Sequence, residues 1–157
     1  MSNTIKLIIA ILVPLAVGGI SGFFTASGVD GWYAAVQKPT FNPPNWLFGP
    51  VWTLLYILMG ISLYLIWKQP ETTPYRNTAI TIFVIQMVLN FCWSFIFFKL
   101  QEPGYAFAEI VLMWLSILLM IIYFIKVNPV AGYLQIPYLC WVSFASVLNY
   151  SIWQLNK

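Results

Sequence analysis

The stretch YAFAEIVLMWLSILLMIIYFI, residues 105–125, decides the fold class of this chain. It carries a single charged side chain, Glu109, in a run about as long as the roughly 20 residues that a helix needs to cross the hydrocarbon core of a bilayer. Backbone groups find no water in that core, so they must pair within the segment, which favours an α-helix. A transmembrane β-strand would alternate apolar and polar residues, and this run is continuously apolar.

Four further apolar stretches predict the rest of an all-α bundle of five transmembrane helices. The predicted helices cover residues of about 5–25, 46–67, 78–98, 105–125 and 130–155. Short connections join the last four, so we expect successive helices to pack antiparallel. The whole chain, 1–157, is predicted to be a single domain. The first stretch is longer than a signal-peptide core and lacks a good cleavage pattern, so it is interpreted as a retained helix.

Composition supports an integral, multi-pass membrane location and excludes several function classes. Apolar residues make up 61% of the chain and charged residues 7%, against about 25% charged in soluble domains. A net charge of +3 does not favour nucleic acid as a partner. Basic residues number four on the N-terminal side of the predicted bundle (Lys6, Lys68, Arg76, Lys126) and three on the other, a small excess that favours a cytoplasmic N-terminus.

The chain has no histidine, which excludes Ser-His-Asp catalysis and histidine-ligated haem. It also removes the commonest metal ligand, so we predict no metal site and no resident cofactor, and no catalytic residue is assigned.

Glu109 is the one acidic residue within a predicted span. It lies near the start of its helix, where the dipole favours negative charge, so an interfacial carboxylate is favoured over a proton relay.

Polar and aromatic residues share helix faces inside the predicted bundle. The spacing i, i+4, i+7, i+11 places Gln86, Asn90, Trp93 and Phe97 on one face of the third helix. The fifth helix repeats this pattern with Trp141, Ala145 and Asn149, and the second helix adds Trp52 and Tyr56. Two interpretations stay open: a site for a planar, partly polar ligand, or amide side chains that hydrogen-bond one helix to another.

Two other features concern how the helices meet. Gly18 and Gly22 form a GxxxG pair that allows a close approach, either within the bundle, which is favoured, or to another subunit. The connection from Ser27 to Asn45 is longer than most and is rich in aromatic residues and proline. Proline lowers the entropy of the unfolded segment, so we predict an ordered lid rather than a flexible tether.

Several blocks in this sequence resemble the translocator protein family, also called TspO/MBR or tryptophan-rich sensory proteins. They occur in the family's order over nearly the whole chain: Trp32-Tyr33, Lys38-Pro39, Asn42-Pro43-Pro44, Trp46, Trp52, Leu55-Tyr56, Leu89 to Ser94, Phe97-Phe98, Pro137 to Trp141, Ala145 and Leu148-Asn149-Tyr150. Together these blocks are highly specific, whereas any one of them alone would be weak. A bacterial member, in a bacterial cell membrane, is the expectation.

The resemblance implies a five-helix protein, commonly a homodimer, that binds porphyrin in a pocket between the helices beneath the first loop. It places the ligand-binding side chains at Trp32, Trp52, Tyr56, Asn90, Trp93, Trp141, Ala145 and Asn149. It places the lid at Lys38, Pro39, Phe41, Asn42, Pro43, Pro44 and Trp46. Animal members also bind cholesterol through a proposed motif that ends in a basic residue. Gln154 stands at that position here, so sterol binding is doubtful.

Three functions follow from the resemblance. The favoured one is a protein that senses, sequesters or carries a tetrapyrrole. The second is a light-dependent enzyme that degrades porphyrin with the help of pocket tryptophans; because no conventional base or nucleophile is present, the expectation leans against an enzyme. A transporter ranks last, since internal repeats, broken helices and coupling-ion sites are the usual signs of one.

Overall fold

A computed structural model describes the whole chain, Met1–Lys157, and contains helices and no strands. Five helical segments are long and apolar enough to cross a membrane, as the sequence predicts. In chain order the helices are α1 (Asn3–Val29), α2 (Trp32–Ala35), α3 (Phe48–Trp67), α4 (Arg76–Ser94), α5 (Pro103–Val127), α6 (Pro129–Tyr133) and α7 (Ile136–Leu155). A 3₁₀ turn, Asn45–Leu47, leads into α3, and a π-helical turn, Phe95–Lys99, extends α4.

Two helix boundaries differ from the predicted ones. Helix α1 continues to Val29, one turn beyond the predicted end, and Gly28 near its end packs on the backbone and side chain of Phe98. The last span is broken at Leu134–Gln135 into α6 and α7. Pro137, in the first turn of α7, supplies the reason: its ring removes one N–H and clashes with a helical carbonyl four residues back.

Helix α1 packs against α3 and α4, and α5 packs against α4 and α7. Where α1 crosses α3, a Cβ added at Gly60 would lie 2.5 Å from the Cα of Ile11 and 2.8 Å from the carbonyl oxygen of Ala10. One added at Gly18 would clash with the ring of Tyr56. The glycines therefore permit a close approach between helices, as in other membrane bundles. For Gly18, the predicted contact within the bundle is confirmed.

The end of the bundle away from the loop is filled by side chains. Phe83 and Phe124 stack with ring centroids 6.3 Å apart, and both are buried. The buried Arg76 donates from Nη2 to the carbonyl oxygen of Trp67 at 2.9 Å. This bond caps the C-terminus of α3, where the helix dipole favours a cation.

Glu109 corrects one expectation from the sequence. The side chain is 8% exposed, and neither carboxylate oxygen has a hydrogen-bond partner. An interfacial carboxylate would be exposed, so that interpretation is wrong. The reason is the helix face: Glu109 shares the inward side of α5 with the buried residues Ala106 and Met113.

Candidate ligand-binding cavity

A cavity of about 560 Å³ occupies the half of the bundle nearest the first loop. Its wall comes mainly from α1, α3, α4 and its π-helical turn, and α7. Small side chains form the α1 side, and aromatic rings form most of the remainder. Asp30, just beyond the end of α1, is the one charged residue in the wall.

Three indole rings face this cavity from three different helices: Trp52, Trp93 and Trp141. Trp52 stacks on Tyr56 with ring centroids 5.5 Å apart and an interplanar angle of 27°. Trp141 meets Phe48 edge-on at 5.9 Å. Because their neighbours hold these rings in place, they offer flat apolar surface at little entropic cost to a ligand.

Beneath the cavity, a buried hydrogen-bond network joins α3, α4 and α7. The hydroxyl of Tyr56 donates to Oδ1 of Asn90 at 2.7 Å, and Nδ2 of Asn90 donates to the hydroxyl of Tyr138 at 2.9 Å. That hydroxyl in turn donates to Oε1 of Gln86 at 2.8 Å. For Asn90 and Gln86, therefore, the structure shows the interhelical bonding that the sequence left open.

Asn149 combines both roles that the sequence suggested. It lies in the cavity wall, yet its Nδ2 donates to the carbonyl oxygen of Pro103 at 2.8 Å. Its Oδ1 accepts from the indole Nε1 of Trp93 at 2.9 Å. These two bonds tie α7 to α4 and to the start of α5, and they fix the plane of the Trp93 ring toward the cavity.

Two residues of the cavity wall each carry a fully buried polar atom that has no hydrogen-bond partner within the protein. They are Ser21, through its hydroxyl, and Trp141, through Nε1. A buried polar group without a hydrogen bond is costly, so a rotation of either side chain toward a partner on a bound molecule would be favourable. Both atoms can donate, so after such a rotation they suit a ligand that carries carbonyl or carboxylate oxygens.

The first loop is ordered across the end of the bundle. The hydroxyl of Tyr33 donates to Oδ1 of Asn42 at 2.7 Å, and Nζ of Lys38 lies 4.7 Å from the centroid of the Tyr33 ring. The side chain of Asn156, just after α7, makes two 2.9 Å bonds with the backbone N–H and carbonyl of Gln37. Burial raises the pKa of Tyr33 to about 12, so this phenol stays neutral and keeps its bond at physiological pH.

The structure separates the predicted ligand-binding residues into two groups. The cavity wall contains Trp52, Tyr56, Trp93, Trp141, Ala145 and Asn149. Trp32 and Asn90 lie behind it: Trp32 packs edge-on against Phe97 at 5.4 Å, and Asn90 supports Tyr56. The predicted lid residues are outside the wall as well, and from the loop it is Asp30, Tyr33 and Asn45 that reach the cavity.

Sequence reasoning missed the contribution of α1. The wall on this side consists of Leu15, Gly18, Gly19, Ser21, Gly22, Thr25, Ala26 and Val29. Gly18 and Gly22 were visible as a small-residue pair, but that pattern predicts helix contact as readily as an open wall. A second signal was Ser21, a hydroxyl beside glycines in an apolar helix.

The five spans and the aromatic cavity define a multi-pass α-helical membrane protein with an internal apolar chamber. Comparison with known proteins places it more narrowly. The chain belongs to the TspO/MBR family, whose model matches residues 10–154. This result confirms the family resemblance drawn from the sequence blocks.

Relatives occur in archaea, bacteria and animals. The chain is 47% identical over 154 residues to the tryptophan-rich protein TspO of Archaeoglobus fulgidus, covering 98% of this chain and 99% of that one. It is 37% identical over 126 residues to the human translocator protein, covering 80% and 75%. It is 33% identical over 127 residues to the tryptophan-rich sensory protein of Cereibacter sphaeroides, covering 81% and 78%.

Proposed function

We propose that this protein binds a porphyrin-type tetrapyrrole in the cavity and acts as a sensor, sequestering protein or carrier for it. The observation that carries the proposal is the convergence of three indole rings, from α3, α4 and α7, on one cavity. Its volume of about 560 Å³ lies within the range of roughly 300–1,000 Å³ that is typical of small-molecule sites. The sensory name of the Cereibacter sphaeroides relative supports the same class of role.

The chemistry of the wall suits a flat, largely apolar ligand with a few oxygen acceptors. Indole faces stack on an extended π-system, and the unpartnered donors of Ser21 and Trp141, once turned toward the cavity, can bind a carbonyl or carboxylate oxygen. No histidine is available to ligate a metal at the centre of a macrocycle, which favours a metal-free porphyrin over haem.

The test is a titration of the detergent-purified protein with protoporphyrin IX, followed by quenching of tryptophan fluorescence. Trp52→Phe and Trp141→Phe should each weaken binding by roughly two- to tenfold, the value of one aromatic contact. Trp46→Phe is the matched control, because this indole is 71% exposed and lies outside the cavity. Unsaturable quenching that is identical in all variants would mean that the pigment only partitions into the micelle, and the proposal would fail.

A second candidate function is light-dependent degradation of the bound porphyrin. The observation that favours it is the Trp52–Tyr56 stack in the cavity wall, where two oxidisable rings would lie beside an excited pigment. Illumination of the complex, with the pigment spectrum followed over time, separates the two functions. Loss of porphyrin absorbance that slows in Trp52→Phe but not in Trp46→Phe would support the enzyme; an unchanged spectrum leaves the binding function. The homodimer implied by the family resemblance stays a prediction.

A further inference from the structure

Helix α1 changes its packing partner along its length. Toward its N-terminus it crosses α3, with Ile11 against Gly60 and then Gly18 against the Tyr56 ring. Toward its C-terminus it leaves α3 and leans on the end of α4. There Phe24 meets Phe91 and Phe95 edge-on at 6.0 and 5.6 Å, and Gly28 packs on Phe98.

This diagonal course leaves a slot between α1 and α3 beside the cavity. The slot is rimmed by residues that line the cavity and have exposed side chains or backbone: Gly19, Gly22, Ala26, Gly49 and Thr53. A Cβ added at any of the three glycines would meet no heavy atom within 4 Å. Between Gly19 and Ala26 the helix rises about 10 Å, which sets the length of the slot. This length is comparable to the width of a small aromatic ring system.

The other way into the cavity, past the first loop, is covered by contacts. Asn156 holds the backbone of Gln37 through two hydrogen bonds, and Phe41 meets Phe144 of α7 edge-on at 6.2 Å. The Tyr33–Asn42 bond closes the loop on itself. A ligand that entered from water would have to break several of these contacts, whereas the slot needs only small adjustments at glycine and alanine.

A polar group marks the inner side of the slot. Ser21 belongs to the cavity wall and lies between the rim residues Gly19 and Gly22 in sequence, and its buried hydroxyl has no partner. At 3% exposure it is not satisfied by solvent outside the bundle. A ligand oxygen that passes the rim can bind this donor once the hydroxyl turns toward the cavity.

We propose that ligands reach the cavity sideways from the bilayer, through the slot between α1 and α3, and not from water past the loop. The inference rests on the proposed function and specifies its ligand class as molecules that partition into the membrane. Large apolar molecules concentrate in the hydrocarbon region, and the rim lies on spans that this region surrounds. Association and release then share one route, so a side chain that narrows the slot slows both.

The first experiment measures association and release of protoporphyrin IX in lipid nanodiscs by stopped-flow fluorescence. Ala26→Leu and Gly22→Leu should slow association and release alike, each by roughly tenfold. Because both residues also line the cavity, the parallel slowing of the two rates is the result that counts, since a change confined to the bound state would alter release alone. Ala16→Leu is the matched control, because Ala16 is also exposed on α1 but does not line the cavity. Rates that are unchanged in both slot variants, but faster when Asn156→Ala releases the loop, would overturn the proposal.

A second experiment does not depend on porphyrin. Ala145→Cys places a thiol in the cavity wall once Cys92 and Cys140 are replaced by alanine. A maleimide that partitions into the bilayer should label this thiol faster than a charged, water-soluble maleimide, and Ala26→Leu should slow that labelling. Faster labelling by the charged reagent, insensitive to Ala26→Leu, would refute the lateral route. If the thiol is labelled as expected but porphyrin binding is not saturable, the lateral route is supported and the proposed porphyrin function is rejected. Circular dichroism checks the fold of each variant.

Discussion

The two halves of this bundle differ in how they use glycine. Away from the loop, Gly60 and Gly132 are pressed against neighbours, and a Cβ at Gly132 would clash with Cγ1 of Ile125. At the loop end, Gly18 and Gly28 are packed as well, but Gly19, Gly22 and Gly49 face open space. The same residue type therefore makes a tight contact where helices meet and an open wall where they do not. Only the course of the helices distinguishes the two uses.

The largest expected effect comes from filling a glycine of the packed half. Gly60→Ala places a methyl group against the backbone of α1, which cannot move aside as a side chain can. We expect a loss of about 3 kcal/mol in the free energy of unfolding, measured in mixed micelles. Gly49→Ala is the control on the same helix, and it should leave stability unchanged or raise it by up to about 1 kcal/mol. Equal losses in the two variants would contradict the distinction between the halves.

A smaller effect is expected at the boundary between the halves, where Tyr138 is the centre of the buried network. Tyr138→Phe leaves both Nδ2 of Asn90 and Oε1 of Gln86 without this partner, so the free energy of unfolding should fall by about 2 kcal/mol. Tyr56→Phe removes one bond and should cost about 1 kcal/mol. A larger loss of stability for Tyr56→Phe than for Tyr138→Phe would show that Tyr56, and not Tyr138, is the centre of the network.

Most of the fold could be predicted from the sequence, because continuous apolar runs of bilayer length have few structural solutions. The five spans are present, and the face shared by Gln86, Asn90 and Phe97 is buried. The break at Leu134–Gln135 was missed, although Pro137 was the signal for it. The burial of Glu109 was missed because distance from a helix end does not show which face a side chain occupies.

The candidate site was predictable on three of its sides. Aromatic residues at helical spacing indicated α3, α4 and α7, and the family resemblance supplied the same positions. The α1 side could not be predicted, since glycine carries no chemistry of its own and its role depends on where α1 leaves α3. The loop residues Lys38 to Trp46 were predicted to form a lid, and the loop is held together by the Tyr33–Asn42 bond and to the end of α7 by Asn156.

Alkaline pH should loosen the loop end alone. Burial raises the pKa of Tyr33 from 10.0 to about 12, so between these values an opened loop ionises its phenol while the closed loop does not. The closed loop is therefore fully favoured below about pH 10 and is progressively lost as the pH rises toward about 12. Proteolysis of the loop as a function of pH measures this change. In Tyr33→Phe the dependence should disappear; if it persists unchanged, ionisation of Tyr33 is not its cause.

The smallest expected effect is at the contact between the loop and α7. Asn156→Ala removes two hydrogen bonds to the backbone of Gln37, both of them exposed to solvent. Amide exchange at Gln37 should accelerate by roughly three- to tenfold, which corresponds to about 1 kcal/mol of lost local stability. Exchange in α3 and α5 should stay as it is. Uniform acceleration throughout the chain would show that the loop stabilises the whole bundle.

The central claim is that the loop-end cavity, and no other surface, receives a tetrapyrrole. The most direct test is a crystal structure of the protein with metal-free protoporphyrin IX, in which difference density locates the macrocycle. The account predicts the macrocycle among Trp52, Trp93 and Trp141, with an oxygen of the ligand near Ser21. Macrocycle density in the outer groove between α5 and α7, beside Trp114 and Tyr150, would contradict it.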